Sequence, residues 1–356
     1  KLNHFKKNLG TNIDKHLISD EKVCLALSSG VDSASLALMI KNSKFSKNLK
    51  KVYTFEYDNY PSETNLANKF AKHLNLKYEN IKIYKKDIIN NFQNLIQINE
   101  GPIGGMANIS MFKLCKKIKK DKFKVMLAGY GLDEALYGYN SMNIKNTKNA
   151  DSKNFHIPDN KDFMFFHNNF LNLFNKHKNK INIVKPDEIK FQMLFDTKIP
   201  RTVHMCDKFS MINSIEMRLP YLDHKFIENT SNYKYEDYFY HNQNISKKPI
   251  RDLLSKYSKY KFDWIKEKDH NPTPQDEWLK QSPIKEWVED HLKDSKIYKE
   301  FKQFNKKKIL NAWKYFIDKN DNDVKGYFFW QLLNIYYICD INNFYYKRLN
   351  KKIFKL

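Results

Sequence analysis

The chain has 356 residues, which is enough to bury a core in one large domain or two modest ones. Hydrophobic residues make up 41% of it and aromatic residues 15%, and this excludes a generally disordered chain. The excess of 63 Lys and Arg over 40 Asp and Glu gives a formal net charge of +23. That charge favours anionic partners, although a Lys/Asn bias spread over solvated faces explains it equally well.

No segment indicates export or membrane insertion. The opening residues 1–20 are polar and lack the apolar core of a signal peptide. The stretch 327–341 is apolar but interrupted by polar residues, so it predicts a buried helix and no membrane span. The four cysteines form no CxxC pair, so neither a zinc site nor a disulfide framework is predicted, and a cytoplasmic location is expected.

Short apolar runs alternate with helical periodicity in the first 130 residues. Strands are predicted at 23–27, 51–55, 78–83 and 124–128, and helices at 34–40, 63–74, 87–98 and 106–119. Strands that alternate with helices indicate a parallel sheet covered on both faces. The predicted fold class is therefore α/β, with a largely helical C-terminal part.

The alternation stops near residue 140. Residues 141–185 are rich in Lys and Asn around a Phe-rich patch at 163–174, which is typical of a variable insertion, and the patch itself predicts core packing. Helical periodicity dominates from residue 188 onward. We therefore predict a nucleotide-binding part at 1–140, an insertion at 141–185, and a helical part at 186–356 that completes the active site.

A loop of small residues, Ser28-Ser29-Gly30-Val31-Asp32-Ser33, follows the first predicted strand and opens a helix. Backbone N–H groups in such a loop can bind an anion, Gly30 supplies permissive backbone dihedrals, and Ser28 and Ser33 supply hydroxyl groups. A carboxylate such as Asp32 suits a phosphate only if Mg²⁺ lies between them. The loop lacks the Walker lysine and resembles the SGGxDS loop of the PP-loop ATP pyrophosphatases, which cleave ATP to AMP and pyrophosphate.

A second loop, Gly129-Tyr130-Gly131-Leu132-Asp133-Glu134, follows the strand at 124–128. The carboxyl ends of parallel strands meet at one edge of a sheet, so Asp133 is placed as a second metal carboxylate. Further motifs are SMINSIEMRLPYLD at 210–223, KKPIR at 247–251, and Lys268 followed by Pro274 and Trp278. In this order the motifs resemble the synthetase domain of the asparagine synthetase family, from about residue 5 to about residue 340.

The resemblance implies a ligase that uses ATP and Mg²⁺ to adenylate a carboxylate, with release of pyrophosphate, and then joins it to ammonia or an amine with release of AMP. It implies Asp32 and Asp133 as metal ligands and Lys247 as a catalytic cation. Glu63 and residues 100–102 fall at further family motifs. The residues expected to bind ATP are Ser28, Ser29, Gly30, Asp32, Ser33, Gly129 and Gly131.

Tyr130 departs from the asparagine synthetases, which have a glutamate there. The branch that resembles β-lactam synthetase and carbapenam synthetase shares the tyrosine and pairs it with a glutamate that deprotonates an internal amine. That glutamate falls at His204 here, so Tyr130 and His204 are a candidate general base. The competing interpretation is that Tyr130 only shapes the pocket while His204 lies on a helix.

Leu132 and His270-Asn271 also depart from the family pattern. Glu216 and Arg218 are interpreted as a buried ion pair as readily as a substrate contact.

The partners expected are a small-molecule or peptide carboxylate and ammonia or an amine. Glutamine-using members carry a separate glutaminase domain, which this sequence lacks, so a separate glutaminase is one expected source of ammonia. An RNA-modifying PP-loop enzyme that adenylates a tRNA base stays open because of the +23 charge, although the motif at 210–223 argues against nucleic acid. A non-catalytic binding protein of the same fold also stays open, and the retained Asp32, Asp133 and Lys247 argue against it.

Overall fold

A computed structural model describes residues 1–62, 64–139, 142, 186–240, 245–265, 273–318 and 325–353. The predicted insertion, apart from Met142, and Glu63, Lys268 and His270-Asn271 lie outside the described residues. Contacts within the chain define two compact units. As far as these ranges are described, unit 1 comprises Lys1–Ile83, Met111–Ala150 and Ile183–Asn271, and unit 2 comprises Tyr84–Ser110, Asp151–Asn182 and Pro272–Leu356. The predicted division at residues 140 and 185 stays a prediction.

Unit 1 contains a five-stranded parallel sheet of order β3-β2-β1-β4-β5. Its strands are β1 (Val23–Ala26), β2 (Leu49–Tyr57), β3 (Tyr78–Ile83), β4 (Val125–Leu127) and β5 (Glu216–Arg218). The central strand β1 is almost wholly apolar, which is typical of a parallel strand that is covered on both faces. The predicted α/β fold class is confirmed, and four of the five strands fall at the predicted positions.

Helices surround the sheet of unit 1. The central helix α2 is buried at every position from Ser33 to Ile40, which suits a helix that neighbours cover on all sides. The other helices are α1 (Leu2–His16), α3 (Thr64–His73), α5 (Ala107–Lys120, shared with unit 2), α6 (Leu132–Ala135), α7 (Pro186–Phe191), α8 (Lys198–Met211), α9 (His224–Ser231) and α10 (Lys248–Tyr257), with α2 spanning Val31–Lys41. Single turns lie at Ser46–Asn48, Gln192–Asp196, Pro220–Leu222 and Tyr235–Tyr238.

Strand β5 was not predicted, and it explains the Glu216 and Arg218 motif. The Nε atom of Arg218 lies 2.7 Å from Glu216 Oε1, but the Glu216 side chain is 61% exposed. The ion pair therefore forms at the surface and is not buried. The Nη1 atom of Arg218 also donates to the carbonyl oxygens of His16 and Ile18, at 2.8 and 2.7 Å, so Arg218 fixes the end of α1 to this edge of the sheet.

Unit 2 is helical in the residues described. Its core is aromatic: the ring of Phe92 packs against Trp287 and Trp330 at centroid distances of 5.2 and 4.9 Å. The buried amide of Asn334 pairs with both backbone groups of Ile103, which fixes the loop before α5. The helices are α4 (Lys85–Asn99), α11 (Gln275–Leu279), α12 (Ile284–Lys293), α13 (Lys296–Glu300), α14 (Lys306–Asp318) and α15 (Gly326–Ile353).

The apolar stretch at 327–341 lies within α15, where Trp330 and Leu333 are fully buried. In the part of the chain that the structure describes, every helix is too short or too polar to cross a bilayer.

A charge network joins β2 to the end of α5. Asp121 accepts hydrogen bonds from Lys51, Lys117 and the Tyr53 hydroxyl, at 2.8, 2.6 and 2.6 Å. Lys117 also pairs with Glu79 at 2.7 Å. Burial by itself would raise the pKa of the Asp121 carboxyl, but the three hydrogen bonds outweigh it and lower that pKa far below its usual value.

Replacing Asp121 should weaken the fold and flatten its response to acid. Asp121→Asn should lower the free energy of unfolding near neutral pH by about 2 kcal/mol, because charge-assisted hydrogen bonds are lost. Since the pKa of Asp121 is lower in the folded chain than in the unfolded one, its contribution is present above pH ~4 and is lost as the pH falls further. Urea unfolding near pH 7 and near pH 3 tests this, with the exposed Asp20→Asn as control. An Asp121→Asn variant with the acid response of the parent would contradict it.

Candidate active site

The two predicted loops meet at the carboxyl edge of the sheet. Residues 28–30 lead from β1 into α2, and Gly129 and Gly131 lead from the neighbouring β4 into α6. A Cβ atom on Gly129 would lie 3.3 Å from the backbone C of Asp32 and the backbone N of Ser33. The loops therefore touch backbone to backbone, and Gly129 is the small residue that permits this approach.

Lys247 joins Asp32 to Asp133. Its Nζ lies 2.7 and 2.9 Å from the two carboxylate oxygens of Asp32 and 2.6 Å from Asp133 Oδ1. The Lys247 side chain is 9% exposed, and those of Asp32 and Asp133 are 24% and 28% exposed. The structure thus brings together the three residues that the sequence singled out, although 215 residues separate Asp32 from Lys247.

The electrostatics of this cluster are those of two anions that share one cation. Burial by itself would lower the pKa of Lys247, but Asp32 and Asp133 outweigh it and raise that pKa, so the ammonium stays charged. Burial raises the pKa of Asp32 to about 6; Lys247 opposes the rise and Asp133 adds to it. With both carboxylates ionised the cluster has a net negative charge, which suits a further cation.

The phosphate loop, residues 28–33, is held by its own hydroxyl groups. The backbone N–H of Ser28 donates to Ser33 Oγ at 2.8 Å, the two hydroxyl groups lie 2.9 Å apart, and the Gly30 N–H donates to Ser28 Oγ at 3.1 Å. Gly30 has φ −73° and ψ 152°, which any residue can adopt. The expectation that Gly30 supplies special dihedrals is therefore wrong. Ser28 and Ser33 shape the loop, and their predicted contact with phosphate stays a prediction.

Tyr221, within the motif at 210–223, anchors the start of α2. Its hydroxyl donates to the Asp32 carbonyl at 3.0 Å and lies 2.7 Å from Ser35 Oγ. The side chain is fully buried, and burial raises the pKa of Tyr221 well above its usual value, so it remains a neutral hydrogen-bonding group. The long motif thereby contacts the backbone that carries Asp32. The sequence marked this segment without indicating that role for Tyr221.

Gly138 is a site residue that sequence reasoning missed. A Cβ atom there would lie 1.9 Å from Asp133 Oδ1 and 2.4 Å from Lys247 Cε, so no other residue fits without displacement. Gly131 is similarly constrained: its φ is +93°, and a Cβ would lie 2.2 Å from Leu222 Cδ2. The only sequence signal for Gly138 is its closeness to the Asp133-Glu134 pair.

Arg251 explains the spacing of the KKPIR motif. It is 7% exposed, and it donates from Nε to the Ser246 carbonyl at 2.8 Å and from Nη1 to the Trp264 carbonyl at 2.7 Å. The Arg251 N–H donates to the Lys247 carbonyl at 3.1 Å. Lys247 itself has a left-handed backbone, with φ 58°, directly before α10. Arg251 therefore fixes the backbone from which the Lys247 side chain extends.

Glu134 is a buried acidic residue of the second loop. It is 3% exposed, accepts a hydrogen bond from the Tyr139 hydroxyl at 2.8 Å, and has a pKa that burial raises. The ammonium of Lys198 lies 4.9 Å from the centre of the Tyr139 ring. These contacts assign Glu134 a structural role beside Asp133.

The contacts described for Tyr130 are with residues other than His204. The Tyr130 side chain packs against the core cluster of unit 1 and hydrogen-bonds with Cys206, and burial raises the pKa of its phenol well above the usual value. His204 is exposed on α8, two residues before Cys206. The side chains of His204 and Cys206 therefore project about 200° apart around that helix. The described contacts favour a pocket-shaping Tyr130, and its pairing with His204 stays a prediction.

An apolar cleft lies beside the phosphate loop. Ser28 and Ser29 form one side of it, and aromatic side chains form much of the rest. The ring of Trp264 packs against Phe70 and Phe262 at centroid distances of 5.3 and 4.7 Å. Its aromatic lining provides faces on which a flat ring can stack. The other residues that line it are Ala34, Leu66 and Tyr260.

The residues at the cluster fit Mg²⁺. Asp32 and Asp133 provide carboxylate oxygens, the ligand type that Mg²⁺ prefers. Within the described ranges no group of three or more His, Cys, Asp or Glu could enclose a metal ion. Two carboxylates leave positions for phosphate oxygens and water, which is how Mg²⁺ usually binds together with a nucleotide.

The fold and the site define an α/β protein with a parallel sheet whose carboxyl edge carries two loops, two aspartates and a buried lysine. The asparagine synthase family model matches residues 4–337, so the chain belongs to the asparagine synthase family.

One relative and two solved structures are similar to this chain over different extents. Asparagine synthetase [glutamine-hydrolyzing] 2 of Bacillus subtilis (strain 168) is 25% identical over 250 residues, which cover 63% of this chain and 32% of that protein. The chain thus spans about a third of the length of this relative. The NH3-dependent NAD synthetase from Campylobacter jejuni is 18% identical with a TM-score of 0.29, covering 60% of this chain and 95% of that one. The U34-tRNA thiolase NcsA from Methanococcus maripaludis is 16% identical with a TM-score of 0.30, covering 75% and 91%.

Proposed function

We propose that the protein is an ATP-dependent ligase that forms an amide bond in two steps. A carboxylate oxygen attacks the α-phosphate of ATP, which gives an acyl-adenylate and releases pyrophosphate. Ammonia or an amine then attacks the acyl carbon and AMP leaves. The observation that carries this proposal is the Lys247 ammonium between Asp32 and Asp133, where the two loops meet.

Each residue of the cluster has a role in the first step. The backbone N–H groups at the start of α2 face the phosphates of ATP, and the apolar cleft beside Ser28 and Ser29 receives the adenine ring. Asp32 and Asp133 would hold Mg²⁺, which would supply positive charge beside the pyrophosphate group. Lys247 stabilises the negative charge that develops on the α-phosphate and later on the tetrahedral intermediate.

The substrates follow from the family in outline. The acid is a small molecule or a peptide with a free carboxylate, and the nitrogen comes from free ammonia, a substrate amine or a separate glutaminase. The Bacillus relative is named as glutamine-hydrolyzing, and this chain spans a third of it, so glutamine hydrolysis is not assigned here. Cytoplasmic action is part of the proposal, and the free thiols of Cys24, Cys115, Cys206 and Cys339 agree with it.

Exchange of labelled pyrophosphate into ATP tests the first step. The protein, ATP and Mg²⁺ are incubated with pools of carboxylic acids, and exchange should appear only in pools that contain the substrate. Asp133→Asn should abolish the exchange. AMP and pyrophosphate are the expected products after addition of ammonia; ADP and phosphate would contradict the proposal.

The alternative of tRNA-base adenylation has the net charge of +23 in its favour. It predicts that RNA, and no carboxylate pool, triggers pyrophosphate release, and that added salt steeply weakens RNA binding. A non-catalytic binding protein would instead bind ATP without turnover in either assay.

Replacing Tyr130 separates a pocket-shaping role from a general base. If the phenol only packs the pocket and bonds to Cys206, Tyr130→Phe should keep the rate of amide formation within about tenfold of wild type. Loss of a general base costs about a hundredfold or more. A loss of that size in Tyr130→Phe, matched by His204→Ala, would establish the Tyr130–His204 pair.

A further inference from the structure

The ammonium of Lys247 lies where a bridging metal ion would have to bind. Both oxygens of Asp32 and Oδ1 of Asp133 are within 2.6 to 2.9 Å of Nζ. Mg²⁺ binds carboxylate oxygens at about 2.0–2.1 Å and tolerates little distortion. A metal ion that binds both carboxylates cannot occupy the same space as the Lys247 ammonium in its present position.

We propose that Lys247 is a tethered counter-cation, which neutralises Asp32 and Asp133 in the nucleotide-free protein and is exchanged for Mg²⁺ when the metal arrives with ATP. One cation replaces another, so the partly buried carboxylates are never left without a positive partner. The exchange releases the ammonium to act on the reacting phosphate only after metal has bound. This inference rests on the proposed function and adds an order of events to it.

The surroundings of Lys247 permit such a movement. Arg251 and the first turn of α10 fix its backbone, so only the flexible side chain needs to move. Gly138 packs against the lysine stem through its backbone alone, since a Cβ there would lie 2.4 Å from Lys247 Cε and collide with it. By contrast, the neighbouring Lys248 pairs with Asp252 at 2.6 Å on the surface of α10. Lys248 therefore provides a matched lysine outside the cluster.

The exchange predicts that Lys247 competes with divalent metal ions in the absence of nucleotide. A variant without the ammonium has two unneutralised carboxylates and nothing to displace, and should bind metal more tightly. We expect Lys247→Met to bind Mn²⁺ at least about tenfold more tightly than wild type, and its melting temperature to rise more on addition of Mn²⁺. Lys247→Arg, which keeps a cation, should bind Mn²⁺ no more tightly than wild type.

Titration of the nucleotide-free full chain with Mn²⁺, followed by electron paramagnetic resonance of free Mn²⁺, measures these affinities. Lys248→Met should bind as wild type does, and Asp133→Asn should lose the tight binding in the Lys247→Met background. Equal or weaker Mn²⁺ affinity in Lys247→Met than in wild type would overturn the exchange. If Lys247→Met folds only with metal present, recovery of its folded signal by Mn²⁺, and not by an equal ionic strength of NaCl, supports the exchange; recovery by both overturns it.

The outcome is independent of the product assay. A protein that forms AMP and pyrophosphate, but whose Lys247→Met and wild-type forms bind Mn²⁺ equally, refutes the exchange and leaves the proposed function standing. A protein that forms no AMP with any acid, but shows the difference in Mn²⁺ affinity, fails the proposed function and retains the competition between lysine and metal.

Discussion

Lys247→Met should lower the rate of AMP and pyrophosphate formation by about a thousandfold, the larger end of the range for loss of one preorganised electrostatic contact. The methionine side chain is nearly as long as that of lysine, but it cannot neutralise charge on the α-phosphate or on the tetrahedral intermediate. The loss should fall on kcat, because the phosphate loop and the apolar cleft that bind ATP are unchanged. Steady-state kinetics with the acid found by pyrophosphate exchange measure it.

The control for this experiment is Lys248→Met, which removes an ammonium one residue away that pairs with Asp252. It should stay within about twofold of wild type, since surface ion pairs contribute little. The combination expected of Lys247→Met is distinctive: metal binding becomes tighter while turnover is lost. Retention of more than about a tenth of wild-type kcat would remove Lys247 from the catalytic step.

Gly138→Ala should reduce turnover by about a hundredfold, although the substitution adds only one methyl group. Its Cβ would lie 1.9 Å from Asp133 Oδ1, so either the Asp133 carboxylate or the loop itself has to move. Overpacking of this kind costs about 1–3 kcal/mol of stability, which a folded variant can survive. The displacement instead changes the distance between Asp133 and Lys247, on which the chemistry depends.

Gly10→Ala is the matched control, because Gly10 lies in α1 outside the site motifs and a Cβ there meets only the end of the flexible Met39 side chain, 3.2 Å from Cε. Thermal unfolding by circular dichroism and steady-state kinetics should be measured on both variants. Gly10→Ala should match wild type in activity and be at least as stable, since alanine favours a helix interior over glycine. Full activity in Gly138→Ala would contradict the close packing described around Asp133.

The sheet and its two loops could be predicted because their signals are local. An apolar run followed by small residues marks β1 with the phosphate loop, and a second one marks β4 with Gly129 and Gly131. β5 could not be predicted in the same way. Its three residues, Glu216 to Arg218, include two charged side chains and form a strand only by pairing with β4.

Motif order predicted three residues that the structure brings together, but it did not predict the contacts among them. Motif order identified Asp32, Asp133 and Lys247, but no local pattern places an ammonium 215 residues away between two carboxylates. The roles of Tyr221 and Gly138 could not be predicted for the same reason, because neighbours from other segments define them. Gly30 shows the opposite error: a glycine in a loop suggested special dihedrals, whereas its backbone is ordinary.

Asp32 and Asp133 are proposed to hold a metal ion on the phosphates of ATP. A crystal structure with Mn²⁺ and an ATP analogue that resists cleavage between the α- and β-phosphates tests this directly. We expect an anomalous Mn²⁺ peak about 2 Å from oxygens of both aspartates, phosphates on the loop at 28–33, and Lys247 Nζ displaced from the carboxylates. Nucleotide bound away from that loop, or Mn²⁺ bound without Asp32 and Asp133, would contradict it.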